Sequence, residues 1–262
     1  MSLIGQGLSV GFPKIQSCKN QIDRFRTKFG MTNFKKLCAF TLSELLLSLT
    51  IVGVIAVITV PVIVGNIQKQ IFATKLKNTV TMIEQVAQQE LIRHHTRDLR
   101  NTDFADPEKL LSDKHFSIVK ICPAPTAGRD CWKTSATVKD KITYKTLQNS
   151  NFSVGFSGVK AIVLKNGAIL VFSKGNKVEQ SYRGGIAGYF YIDVNGNEKP
   201  NIVGRDLFLL WLTKEGKIVG YAYIIEKAKT LSQLNYLCKN SPSYTIYYCY
   251  DALVANNWKM DY

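Results

Sequence analysis

Charge is almost absent from one long stretch of this chain. In "FTLSELLLSLTIVGVIAVITVPVIV", from Phe40 to Val64, Glu44 is the only ionisable residue. As a helix rising 1.5 Å per residue the run is roughly 37 Å long, enough to cross a hydrocarbon core of about 30 Å. No A-x-A-like site of small residues follows Val64, which argues against a cleaved secretory signal peptide. Acidic residues are scarce before the run: only Asp23 precedes Ala39, against Lys14, Lys19, Arg24, Arg26, Lys28, Lys35 and Lys36. The cysteines show no C-x2-C spacing of the kind structural zinc sites use. No phosphate loop, nucleophile–base pair or paired-carboxylate arrangement stands out, so nothing here argues for an enzyme.

The 262 residues, 46% of them hydrophobic, suffice for one membrane span and one globular domain of ordinary size. The formal charge is +15; removing 1–39 takes away seven bases and one acid and leaves 27 − 18 = +9. The remaining basic residues are scattered, which reads as a solvated basic surface rather than a nucleic-acid footprint. Five bases (Arg24, Arg26, Lys28, Lys35, Lys36) immediately precede the span, placing the N-terminus in the cytoplasm and the larger C-terminal part outside. Beyond the span the cysteines form two close pairs, Cys122 with Cys131 and Cys238 with Cys249. They read as two disulfides in an oxidising compartment, in preference to a zinc site or free thiols.

"KKLCA" followed by "FTLSELLLSLTIVGVIAVITVP" resembles the precursor of a type IV pilin or type II secretion pseudopilin. In that family a basic leader ends in a small residue, the mature chain starts with Phe, Glu stands fifth and Pro often stands near position twenty-two. Phe40, Glu44 and Pro61 match. Ala39, where the family normally has Gly, departs from the pattern, and so does the length of the leader; Met31 gives a start of more usual length. The resemblance implies cleavage between Ala39 and Phe40 by a prepilin peptidase and N-methylation of Phe40. It also implies a bacterial inner-membrane location with a single pass, and polymerisation with copies of the chain and related pilins by an assembly platform and ATPase. Glu44 would neutralise the terminal amine of a neighbouring subunit. Its alternative is an interfacial carboxylate snorkelling to the headgroups. Gly53 and Pro61 suggest a kink or locally unwound stretch, with a plain kink of no functional consequence as the alternative.

After the span, Phe72, Leu76, Val80, Ile83, Ala87 and Leu91 recur at helical spacing, so an amphipathic continuation of the same helix is expected, ending between Arg93 and Arg100. His94 and His95 fall near that end; being adjacent they point in different directions and read as solvated helix-end residues rather than a metal pair. The expected divisions are a leader at 1–39, a membrane half of the helix at 40–64, an amphipathic half at 65–98 and an extracytoplasmic head at 99–262. In the head, 101–150 reads as mixed and turn-rich. Asn166-Gly167 marks a hairpin, and "GYFYIDV", "DLFLLWL" and "KIVGYAYI" read as strands, the last two joined across "TKEG". The fold class expected is α+β, the long helix packed on an antiparallel sheet of four or five strands, as in type IV pilins.

"DVNGNEKPNIVGRD" alternates Asp193, Asn195 and Asn197 as oxygen ligands, with Asp206 beyond, and suggests calcium without the EF-hand spacing. The resemblance adds that some pseudopilins hold calcium in a head loop; an Asx-rich turn is the alternative. The tyrosine-rich end, "NYLCKNSPSYTIYYCYDALVANNWKMDY", reads as a disulfide-closed loop, either exposed for adhesion and subunit contacts or packed on the sheet edge. Three functions follow: a pilus subunit, a secretion pseudopilin, or an anchored binding protein that takes DNA or surface sugars through its basic head.

Overall fold

The computed structural model describes residues 41–124, 127–134, 139–154, 160–174, 185–225, 229–240 and 245–262. The leader, Ala39, Phe40, Met31, Cys18 and Cys38 lie outside them. The chain divides into two compact units, Met1–Val54 and Ile55–Tyr262.

Helix α1 runs from Leu42 to Arg93. It is the one helix among the described residues long and apolar enough to span a membrane. The few polar groups of its apolar part are satisfied within the helix: Ser48 Oγ donates to Leu45 O, Thr50 Oγ1 to Leu46 O and Thr59 Oγ1 to Ile55 O, at 2.7–2.9 Å. That internal satisfaction is what a hydrocarbon solvent demands. Of the kink or unwound stretch expected at Gly53 and Pro61, unwinding is absent from the described helix, since both residues lie within continuous α-helix; Pro61 has no N–H to give to the preceding turn. Phe72, Leu76, Val80, Ile83 and Ala87 are buried and Leu91 partly so, as their spacing predicts. The helix ends in a Schellman motif: His95 adopts φ 50, its N–H reaches Ile92 O (3.2 Å), and Thr96 N–H reaches Leu91 O (3.0 Å).

The head is built on a six-stranded antiparallel sheet of order β1-β4-β5-β6-β7-β8. The strands are β1 (Ile118–Cys122), β4 (Ala161–Leu164), β5 (Ile169–Lys174), β6 (Ile186–Asp193), β7 (Leu207–Thr213) and β8 (Ile218–Val219). A separate ribbon pairs β2 (Tyr144–Lys145) with β3 (Asn151–Phe152). Four or five strands were expected. The extra one is β1, whose Val119 and Ile121 stay exposed, so it lacks the apolar alternation that marks the others. Both expected hairpins form, each closed by three residues: Gly167 N–H reaches Leu164 O (2.9 Å) and Gly216 N–H reaches Thr213 O (3.0 Å). Gly167 (φ 85) and Gly216 (φ 82) take the left-handed position that completes such a loop.

Strand alternation splits the core in two. Leu170, Phe172, Phe190, Ile192, Phe208, Leu210 and Leu212 share a cluster with the buried face of α1. Ile169, Val171, Leu207, Leu209 and Trp211 point the other way, to a cluster with Cys122, Cys131, Trp132 and Tyr144. Both disulfides are present: Cys122–Cys131 (Cα–Cα 5.9 Å) and Cys238–Cys249 (4.7 Å).

Two expectations fail beyond β7. "KIVGYAYI" is strand only at Ile218–Val219, because Asp251 Oδ2 accepts the Ala222 N–H (3.0 Å) and caps a short helix after Gly220. The short helices are α2 (Pro107–Leu110), α3 (Ala127–Asp130) and α4 (Tyr221–Ile224), and the tyrosine-rich end is not a loop but two helices, α5 (Leu231–Asn240) and α6 (Thr245–Ala255). Tyr248, Tyr250 and Tyr262 are buried, and the Tyr247 ring stacks at 5.9 Å from Trp211 of β7, which favours packing over display.

Candidate functional site

Two places carry the residues singled out above. At the start of α1, Thr41 precedes the first helical residue and Glu44 sits three positions on. Thr41 donates to Glu44 Oε2 through both its backbone N–H and its hydroxyl, each at 2.9 Å, and the Glu44 N–H reaches back to Thr41 Oγ1 (3.3 Å). This is a capping box, T-x-x-E, in which helix-start donors are satisfied reciprocally. The sequence shows the spacing plainly; the apolar run around it drew attention to membrane burial instead. Glu44 therefore has a local partner. Gly53 borders open space, with nothing within 4 Å of where a Cβ would sit, so close approach by a second helix is sterically free there.

The second place is the β6–β7 connection, 193–206. Asp193 ends β6, Asp206 precedes β7, and both are fully buried. Val194 N–H donates to Asp206 O (2.9 Å), which holds the two ends of the connection side by side. Two of the expected calcium ligands, Asp193 and Asp206, are thus neighbours. Burial pushes the Asp193 carboxyl well up, and the Asp206 charge adds to it; burial likewise raises Asp206 against the backbone N–H groups that hold it down. Asp193 accepts from Tyr144 OH, which in turn accepts from Trp132 Nε1 (2.6 Å). Asp206 Oδ1 accepts from Ile202 N–H (2.7 Å).

Among the described residues, three buried oxygens on this connection have no hydrogen-bond partner: Asp206 Oδ2, Asn195 Oδ1 and Asn201 Oδ1. Orphaned buried acceptors beside two acids that burial disfavours as anions are the situation a hard dication relieves. The donor set fits calcium. It differs from the sequence expectation in one member. Asn197 is committed elsewhere, its Nδ2 donating to Cys131 O (2.7 Å) and its Oδ1 accepting from Lys133 N–H (3.1 Å), while Asn201, not among the expected ligands, contributes one of the orphaned oxygens. An Asx turn is present as well, since Asn195 N–H donates to Asp193 Oδ1 (3.1 Å), so the two readings are not exclusive.

The same connection touches both disulfides. Asn197 ties it to Cys131; at the other end a Cβ on Gly204 (φ 83) would collide with Cys249 Sγ, and Tyr262 OH donates to Gly204 O (2.8 Å). No family model, curated protein or solved structure matches this chain.

Proposed function

We propose that the chain is a structural subunit of a type IV pilus-like filament. It is made as a prepilin in the bacterial inner membrane with its N-terminus cytoplasmic, cut between Ala39 and Phe40 by a prepilin peptidase, N-methylated at Phe40 and polymerised by an assembly platform and ATPase. One observation carries the reading: leucine, isoleucine and valine side chains from Leu42 to Ile71 stand exposed all round α1, with Glu44 the only acid among them. A helix apolar on every face needs lipid or other helices around it. Lipid serves the stored subunit, and the same helices of neighbouring copies serve the filament. Cleavage leaves a positive amine on Phe40, and Glu44 is the anion available to meet it in the neighbouring subunit.

The test is a comparison of wild type with Glu44→Val. Mass spectrometry of the N-terminal peptide is expected to start at Phe40 in both, and membrane insertion is expected to be undiminished in the variant, since a desolvation cost has gone. Filament yield after shearing should collapse, because stranding the buried amine costs about 3–5 kcal/mol at each addition. An uncut terminus sinks the prepilin reading; a variant that assembles as well as wild type sinks the role of Glu44.

Two other readings have specific support. The oxygen donors at 193–206 favour a type II secretion pseudopilin, in view of the calcium that the resemblance implies for some of them. The Thr41–Glu44 capping box favours an anchored binding protein, because it gives the carboxylate a purpose within one chain; an intact Ala39–Phe40 bond in the exported protein is its signature.

A further inference from the structure

A cluster at the far end of α1 belongs to neither place. Glu90, in the last turn of the helix, is completely buried. His94 caps that turn and, at i+4, sets its Nε2 3.3 Å from Glu90 Oε2 and 4.0 Å from Asp103 Oδ1. Asp103 opens the 3-10 turn Asp103–Ala105. His115, from the turn before β1, is inserted between the two acids, with Nδ1 3.7 Å from Glu90 Oε1 and Nε2 3.2 Å from Asp103 Oδ2. Single donor atoms of Glu90, Asp103 and His115 lie within 4.8 Å of one another. His95, with φ 50, is exposed and takes no part in these contacts.

We propose that Glu90, His94, Asp103 and His115 form a binding site for a zinc-type transition-metal dication. Zn–N and Zn–O bonds near 2.1 Å make the edges of a tetrahedron about 3.4 Å long; one donor atom each of Glu90, Asp103 and His115 already lies within 4.8 Å of the others, and His94 Nε2, 3.3 Å from Glu90 Oε2, is the fourth ligand within reach once its half-exposed side chain turns inward. Two imidazoles and two carboxylates select zinc-like ions over calcium or magnesium, which take all-oxygen shells. His115 adds a chemical reason. A neutral imidazole has one N–H to give, so one of its two carboxylate contacts sets a nitrogen lone pair against an oxygen. A metal on one ring nitrogen relieves that mismatch and leaves the N–H of the other for the second carboxylate.

Two cations now serve the acids. Arg93 contacts Glu90 Oε1, and Lys114 Nζ lies 3.0 Å from Asp103 Oδ2. Their side chains are 41% and 53% exposed, against 0% for Glu90 and 2% for His115. The long, solvated side chains can therefore turn outward while the short ligands stay fixed. His94, 37% exposed, and a surface depression lined by Lys114, His115 and Lys165 give the ion a way in.

The test uses the full chain without a tag, purified in detergent and stripped with a chelator. Titration with Zn2+ should show one saturable site, and Co2+ should give the visible absorption of a tetrahedral site with nitrogen ligands. His94→Gln, at an exposed position, should weaken Zn2+ binding by at least about tenfold, the least a metal site loses when its supporting groups are removed. His115→Gln should weaken it further. Excess Ca2+ should not displace the ion, and Asp206→Asn should leave its binding unchanged. No saturable Zn2+ binding, or binding that survives intact in both histidine variants, overturns the proposal; binding that follows Asp206 instead assigns the ion to the β6–β7 connection and overturns it too.

Discussion

Helix α1 meets two environments along one backbone. In its second half Leu76 and Ile83 are 0% exposed, packed in a core shared with the sheet; in its first half Leu42 and Leu49 are 76% and 66% exposed, and every leucine, isoleucine and valine up to Val64 is at least 48% exposed. Composition and pattern both separate the halves. The buried half has one apolar face and a polar remainder, so one partner suffices. The exposed half is apolar on all faces, so no single partner can satisfy it. The difference teaches which part of the molecule is complete in itself: the head closes its own core, and residues 42–71 require a solvent or neighbours that water does not supply.

The largest effect should come from moving one truncation between the halves. Leu76→Ala is expected to destabilise the head by about 2–5 kcal/mol through lost burial and a residual cavity, read as a fall in the denaturation midpoint of the full chain in detergent. Leu49→Ala should leave that midpoint unchanged. Equal losses at the two positions would break the comparison.

The head also differs from the apolar half in holding a half-buried acid that caps a helix. Asp251 is pushed up to about 6 by burial, against the N–H groups of Ala222 and Tyr221 that hold it down. The sign follows from proton binding: between about pH 4 and 6 the folded state holds a proton that the unfolded state has released, so stability is greatest below the unfolded value and falls as pH rises. Two pH units of difference correspond to about 3 kcal/mol. Asp251→Asn should make that part of the pH–stability curve shallower, leaving the slope that the raised Asp193 and Asp206 contribute, with membrane insertion as it is. A slope undiminished in the variant assigns the effect to other groups.

Calcium should sharpen the contrast further, because its donors all lie in the head. At a hundredfold excess over its dissociation constant, a single ion bound only by the folded state adds about 2.7 kcal/mol. The denaturation midpoint should rise with Ca2+, fall with chelator, and lose both responses in Asp206→Asn. A midpoint indifferent to Ca2+ in the wild type would leave 193–206 as an Asx turn with orphaned oxygens.

What could be read from the sequence was whatever is local. The stripe from Phe72 to Leu91 needs only a helical period, the hairpins at Asn166-Gly167 and 214–216 need only their turn residues, and Cys122–Cys131 and Cys238–Cys249 close short loops. What escaped was assembled over distance. Glu90 and His115 are twenty-five positions apart and come together through turns with no strong motif. The short helix Tyr221–Ile224 is hidden for the same reason, since its cap, Asp251, is supplied by α6. Asn197 is the opposite case: local alternation marks it as a ligand, while its amide bonds to Cys131 O and Lys133 N–H across the fold.

The smallest expected effect is the one that decides what Glu44 is for. Thr41 and Glu44 share one hydrogen-bonded unit at the start of the exposed half, so two roles coincide in one carboxylate: helix cap within the chain and anion for the Phe40 amine of a neighbour. Thr41→Val removes the hydroxyl that caps the helix and should cost about 1 kcal/mol of local helix stability, seen as faster hydrogen exchange over the first turn, with filament yield little changed. Glu44→Gln does the reverse. Glutamine serves a capping box nearly as well as glutamate, so the first turn should exchange as in wild type, yet a neutral amide cannot balance a buried ammonium and filament yield should fall as it does for Glu44→Val. If Glu44→Gln assembles normally while Thr41→Val does not, the carboxylate acts through the helix it begins, and the charge pairing between subunits is not what drives assembly.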